Sequence, residues 1–321
     1  MIAPALLLAF AMTAGVLAGP CLDRAAWTAR APRLGIWAWV ALSTSTVTAV
    51  ILAGATLALP TVHPTPRFVD LLNACWASIR AHYAAPGGAA ASTVGLVVAV
   101  GVGVRLLIRV TVEWLGTARA RHRHHEGLRL LGRPGPRPGV IILPCPAPAV
   151  YCLPGRPAVV VCTSAAVDHL DEDELQAVLA HEHAHLQGRH HQLLTFAAAL
   201  RSAFPFVPTF RLAEQNLAVL VEMRADDAAR AARPAHALGS ALVKLAGART
   251  PRVALGVSGT TGAGLLARVH RLTDGVTVVP VRAGLLVAAL GLVVLAVPVL
   301  IALGPAAVAV ALDYCPPGFV S

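Results

Sequence analysis

Apolar residues in this sequence gather into four long uncharged runs, at residues 1–19, 34–59, 84–104 and 283–312. A helix needs about 20 such residues to cross the hydrocarbon of a bilayer, so the pattern predicts four transmembrane helices. The first run opens directly on apolar residues, without the basic flank of a signal peptide, and is read as a retained helix. Between the third and fourth runs the pattern changes. Residues 105–139 read as a basic stem, in which 105–123 continue after the third run as a basic helix at the membrane surface, closed by the linker Gly132-Arg133-Pro134-Gly135-Pro136-Arg137-Pro138-Gly139. Residues 140–282 read as a folded α+β domain. It begins with strands over 140–143, 149–153 and 158–163, the last two flanking the turn Pro154-Gly155-Arg156-Pro157 as a hairpin.

A helix follows, opened by Asp171 as N-cap and Glu174 three residues on, a capping-box arrangement. Leu175, Val178, Leu179 and Leu186 then recur at helical spacing. A second helix spans 209–233 and stops at Pro234. Residues 192–208 are apolar but interrupted by Arg201. They are expected to dip into the membrane interface, or fold as a hairpin, and return. Residues 238–246 suit a helix, and 253–264 are Gly-rich.

Composition supports the membrane reading. The chain is 56% apolar and only 13% charged, against about 25% charged in a soluble domain. Its net charge of +10 is carried by arginines near the ends of the runs. Arg24, Arg30 and Arg33 occupy the first loop; Arg105, Arg109, Arg268, Arg271 and Arg282 flank the third. The positive-inside rule places both loops in the cytosol and both termini outside, as in a multi-pass cell-membrane protein with its folded domain inside. The same arginines attract anionic lipid. No recognition motif or aromatic platform accompanies them, which argues against direct nucleic-acid binding. His122, His124 and His125, set among arginines, read as a solvated basic face. Of six cysteines none has zinc-finger spacing. Cys145, Cys152 and Cys162 are expected as reduced cytosolic thiols, while Cys75 and Cys315 both fall outside, where a disulfide between them stays open.

The candidate chemistry lies in Leu179-Ala180-His181-Glu182-His183-Ala184-His185-Leu186. On a helix, His181 and His185 lie about 40° apart on one face with Glu182 beside them, and His183 falls near the other face. Two imidazoles and an adjacent carboxylate suit one zinc ion and a built-in general base. A third protein ligand is needed. In Glu222-Met223-Arg224-Ala225-Asp226 two acids share a helix face. Glu222 is the choice for the ligand and Asp226 for a group holding a ligand imidazole. Glu214 and Asp227 are rivals, and a solvated acidic turn paired with Arg224 or Arg230 is the plain alternative.

These residues carry a resemblance. Tyr151-Cys152-Leu153-Pro154-Gly155 with Val159-Val160-Val161, Asp173-Glu174-Leu175 before Val178-Leu179-Ala180-His181-Glu182, and Phe206-Val207-Pro208 ahead of Glu222-Met223-Arg224-Ala225-Asp226 resemble the integral-membrane gluzincin metallopeptidases, most of all the beta-lactam-sensor, antirepressor type. Heat-shock and prenyl-protein membrane proteases share the His-Glu-x-x-His and Glu-x-x-x-Asp pieces. The resemblance implies a mainly α membrane protein with a cytosolic zincin-like domain between the third and fourth spans. It implies one zinc on His181, His185 and Glu222, with Glu182 catalytic and Asp226 in support. It also makes a protein substrate, such as a cytosolic transcriptional repressor, the expected partner; oligomeric state is left open. Beta-lactam sensors carry an outer domain after the last span, where this sequence has residues 313–321, so direct antibiotic sensing is not expected. The competing class is a catalytically inactive, protease-like signalling or metal-binding membrane protein. A transporter would place ionisable residues inside its spans, and these four runs have none.

Overall fold

A computed structural model describes residues 2–59, 88–245, 255–256, 262–273 and 280–312. Cys75 and Cys315 lie outside the described residues, as does most of the Gly-rich stretch. The first apolar run forms α1 (Ile2–Met12), which continues through the π-helical turn Thr13–Ala18 into α2 (Gly19–Asp23). After the short α3 (Trp27–Arg30) comes α4 (Pro32–Ala58), with proline in its first turn, where no backbone N–H bond is lost. The third run begins α5 (Gly88–Leu131), and the last forms α12 (Val281–Leu312). By length and composition, the helices Ile2–Asp23, Pro32–Ala58, Gly88–Leu131 and Val281–Ala307 can each cross a membrane. Their outer faces expose large apolar side chains, among them Val97, Leu107, Leu285 and Leu286. Lipid tolerates such a surface and water does not. Where α4 meets α5, a Cβ on Gly54 would lie 2.6 Å from the Gly95 carbonyl oxygen. The two backbones touch there because both residues are glycine.

The stem continues the third run as helix, as read from the sequence: α5 runs unbroken to Leu131, with no proline to stop it. The linker after it, however, is partly ordered. Arg133–Pro134 forms β1, a two-residue edge strand antiparallel to β2 (Val140–Leu143). An edge position tolerates proline, since one side of the strand needs no donor.

The sheet order is β1-β2-β4-β3-β5. Strands β3 (Val150–Leu153) and β4 (Val159–Thr163) form the expected antiparallel hairpin, in register from Val150 opposite Cys162 to Leu153 opposite Val159. Strand β2 runs parallel to β4, and β5 (Leu255–Gly256) pairs antiparallel with β3. Every residue of β3 and β4 is buried, because both faces of the sheet are covered. On one face Tyr151, Leu153 and Val161 pack on Leu128 of α5. His124 Nε2 lies 2.8 Å from the Tyr151 hydroxyl, and the His125 ring sits against Gly155. The histidine triplet is therefore not a solvated face: only His122, paired with Glu126 at 3.5 Å, is strongly exposed.

The other face of the sheet is covered by two helices, with a third behind them. Thr163 caps α6 (Ser164–His169), a short helix the apolar pattern did not predict. Helix α7 (Glu172–Gln187) carries the capping box, with Asp171 accepting from the Glu174 N–H and Glu174 accepting from the Asp171 N–H. Glu174 also accepts from Ser240 and Lys244, both at 2.6 Å, on α10 (Ala235–Lys244). Val178 of α7, Leu242 of α10 and Val150, Cys152 and Val160 of the sheet share one buried cluster.

Residues 192–208 do turn back. Helix α8 (His190–Ala203) is 14 residues long, short of the about 20 a span requires. A tight turn at Phe204–Val207 leads to α9 (Pro208–Ala232). Arg201 pairs with Glu214 at 3.0 Å across the two helices, and Leu200 packs on Phe210. Helix α9 rests directly on the long apolar helices: Leu217, Leu220 and Met223 share a cluster with Trp39 and Leu42 of α4. The Thr209 hydroxyl donates to the Ala14 carbonyl at 2.8 Å.

Candidate metal centre

Helices α7 and α9 cross so that a turn of each faces the other. Helical periodicity puts His181, Glu182 and His185 on the inward side of α7, all fully buried, and leaves His183 exposed with Nδ1 2.7 Å from the Leu179 carbonyl. From α9, Glu222 and Asp226 project four residues apart, both buried. His181, His185 and Glu222 each offer a ligand atom, and these atoms lie within 4.8 Å of one another. His181 Nε2 and His185 Nε2 are 3.0 Å apart; Glu222 Oε2 is 3.5 Å from the first and Oε1 3.4 Å from the second. The rivals are spoken for elsewhere. Glu214 pairs with Arg201, and Asp227 with Arg271 at 2.7 Å.

The spacing fits a metal. Two atoms about 2.05 Å from one tetrahedral cation are about 3.3 Å apart, close to the 3.0–3.5 Å found here. The donor set is chemically suited as well. Burial holds the His185 imidazole down at about 3, so near neutrality it is an uncharged donor. Burial disfavours charge on Glu222, but His185, His181 and Arg268 together hold its carboxyl at about 2, so it is ionised. Burial alone would lower His181; hydrogen bonding to Asp226 and Glu222 outweighs it and raises the ring to about 9. Glu222 Oε2 is buried, with the Arg268 guanidinium 3.0 Å away as its charged neighbour.

Glu182 stands beside this group. Its Oε2 accepts from the Cys152 backbone N–H of β3 at 2.8 Å, while Oε1 is buried with no hydrogen-bond partner among the described residues. Burial raises its carboxyl to about 8, Glu222 adding to the rise and His181 opposing it. Burial and Glu182 together push the Cys152 thiol well above its ordinary value, which keeps it uncharged.

Two residues enter that the sequence pattern did not single out. Arg268, on α11 (Gly262–Thr273), is buried to 1% exposure. Its Nε and Nη2 donate to Asp226 Oδ2 and Oδ1 at 2.7 and 2.6 Å, and Nη1 reaches Glu222 Oε2 at 3.0 Å. Asp226 in turn lies 3.0 Å from His181 Nδ1. The acids therefore pair with Arg268, not with Arg224 or Arg230. One signal could have found it: Leu265, Arg268, Val269 and Leu272 follow the i, i+3, i+4, i+7 rule, so the arginine sits on an apolar stripe. The second is His190, whose Nδ1 lies 2.9 Å from His185 Nδ1. Burial lowers it to about 4, so it too is a neutral imidazole near pH 7.

Two histidines one helical turn apart, a facing glutamate and an adjacent acid, next to a small mixed sheet, form a candidate metal centre in a chain with four helices long and apolar enough to cross a membrane. Comparison with known proteins narrows this. Residues 117–243 match the model of Peptidase family M48, a zinc-dependent family. The chain is also similar to two curated relatives called Protease HtpX homolog. One, from Salinibacter ruber, is 39% identical over 79 residues, covering 24% of this chain and 29% of the relative. The other, from Moorella thermoacetica, is 35% identical over 74 residues, covering 22% and 25%. The chain thus spans less than a third of the length of the curated relatives it matches. No solved structure matches it. The likeness to M48 peptidases is thus one of residues 117–243, in a chain with four helices long and apolar enough to cross a membrane.

Proposed function

We propose that this chain is a membrane-bound zinc metalloendopeptidase. The observation that carries the reading is the convergence of His181, His185 and Glu222 beside a buried Glu182. His181, His185 and Glu222 would hold one zinc ion, which when bound polarises the scissile carbonyl and acidifies the attacking water. The protein's own groups do the rest. Cys152 fixes one oxygen of Glu182 through its N–H, leaving the other oxygen to take a proton from the attacking water. Glu182 then gives that proton to the leaving amine, so the same carboxyl acts as base and acid. Asp226 holds His181 by Nδ1, and Arg268 keeps Asp226 and Glu222 in place and ionised.

The arginine distribution supports a cytosolic site with both termini outside. The substrate is then a cytosolic or membrane protein, and the beta-lactam-sensor resemblance suggests a transcriptional repressor. Purified protein in detergent should cleave casein or a candidate repressor, lose that activity to a chelator and regain it with zinc. Glu182→Gln should bind zinc normally and cut nothing; cleavage by that variant at the wild-type rate would overturn the assignment.

A further inference from the structure

Each imidazole of the candidate zinc pair has a second nitrogen, and something must hold it. For His181 that group is Asp226, an anion. For His185 it is another histidine. We infer that His190 is a positioning residue, which holds His185 in the tautomer whose Nε2 is bare toward the metal site. This rests on the metal reading above.

The argument begins with chain geometry. Helix α7 ends at Gln187, Gly188 follows as its cap, and Arg189 takes a left-handed φ of 49°. That reversal starts α8 with His190 folded back under the end of α7, buried to 4% exposure. The His190 and His185 rings meet edge to face with centroids 4.8 Å apart, and their Nδ1 atoms are 2.9 Å apart. Two nitrogens at that distance share one proton: one must donate and the other accept. If His190 donated, His185 would carry its hydrogen on Nε2, aimed at His181 Nε2 3.0 Å away, and could not ligate a cation. If His185 donates from Nδ1, its Nε2 is free, and His190 carries its own hydrogen on Nε2. Only the second arrangement serves a metal site.

Space and charge both fit. The His190 Nε2 edge lies where a Cβ on residue 188 would be, so the ring fits because that residue is glycine. Glu182, Glu222 and Asp226 already set three buried carboxyls here, with the buried Arg268 guanidinium on two of them. A neutral acceptor at position 190 orients the ring without adding a further buried anion, which would be costly.

The test uses full-length protein in detergent micelles, titrated with zinc against a chromophoric chelator. His190→Asn keeps an acceptor near the place of Nδ1; His190→Gln moves it toward Nε2; His190→Leu removes it. Wild type and His190→Asn should bind zinc within about threefold of each other, and the Leu and Gln variants roughly 10- to 100-fold more weakly. Melting in chelator registers any purely structural role; the Asn and Gln proteins should melt alike there while differing in zinc affinity. Should His190→Leu not fold, the Asn–Gln comparison decides alone. Equal zinc affinity in Asn and Gln, or a Leu variant as tight as wild type, overturns the inference. A wild-type protein that binds no zinc would instead overturn the metal reading itself.

Discussion

Replacing Arg268 with methionine removes one buried charge and leaves two carboxylates behind. Arg268 makes a two-pronged contact with Asp226, at 2.6 and 2.7 Å, and a third contact with Glu222 at 3.0 Å, all at or below 7% exposure. The methionine stem fills most of the same space, so the loss is electrostatic rather than a cavity. Breaking one side of a buried pair costs about 3–5 kcal/mol, because the abandoned ion stays out of water. At about 2–4 °C per kcal/mol for a unit of this size, the melting temperature in chelator should fall by roughly 6–20 °C. Arg268→Lys restores the charge but not the fork, and should fall in between. Zinc should return part of the loss in Arg268→Met, since a cation on Glu222 replaces one of the missing contacts while Asp226 still lacks its partner. The assay is a thermal melt in detergent, with and without zinc, followed by intrinsic tryptophan fluorescence. An Arg268→Met protein that melts with wild type in chelator would refute the claim that the acids depend on this guanidinium.

Other consequences follow from the same packing. Glu174 ties the start of α7 to Ser240 and Lys244 of α10. Burial opposes its charge, but Lys244, Ser240 and the Asp171 N–H outweigh burial and hold its carboxyl below the ordinary value. A depressed folded value means stability present above about pH 4.5 and lost as pH falls through the folded value. Glu174→Gln should therefore melt lower at pH 7 and converge with wild type in acid; parallel melting curves at all pH values would contradict this. Leu242→Ala, at a fully buried position of α10 in the cluster it shares with α7, should cost about 2–5 kcal/mol, read as a fall in melting temperature. Gly95→Leu should push α5 off α4, since a side chain there meets Leu57 and the Gly54 carbonyl; a cysteine pair cross-linked across that crossing should lose its yield.

What could be read from the sequence followed from periodicity. The capping box at Asp171 and Glu174, the hairpin at 154–157 and the shared face of His181, Glu182 and His185 are local patterns within a few residues. The choice of Glu222 over Glu214 and Asp227 was open in the sequence, because helical spacing says which acids share a face but not which face meets α7. Packing on Trp39 and Leu42 of α4 sets that rotation. Arg268 and His190 escaped notice for different reasons. Arg268 was counted among the membrane-flanking charges, although it occupies an apolar stripe. His190 depends on the left-handed turn at Arg189, which no periodicity foretells.

Zinc-edge X-ray absorption on the purified protein, with metal content from the same sample, bears most directly on the central claim. One zinc per chain in a nitrogen and oxygen shell, lost in both His185→Ala and Glu222→Ala, is the result this account predicts. Sulfur ligation from Cys152, or full zinc occupancy surviving in Glu222→Ala, would contradict it.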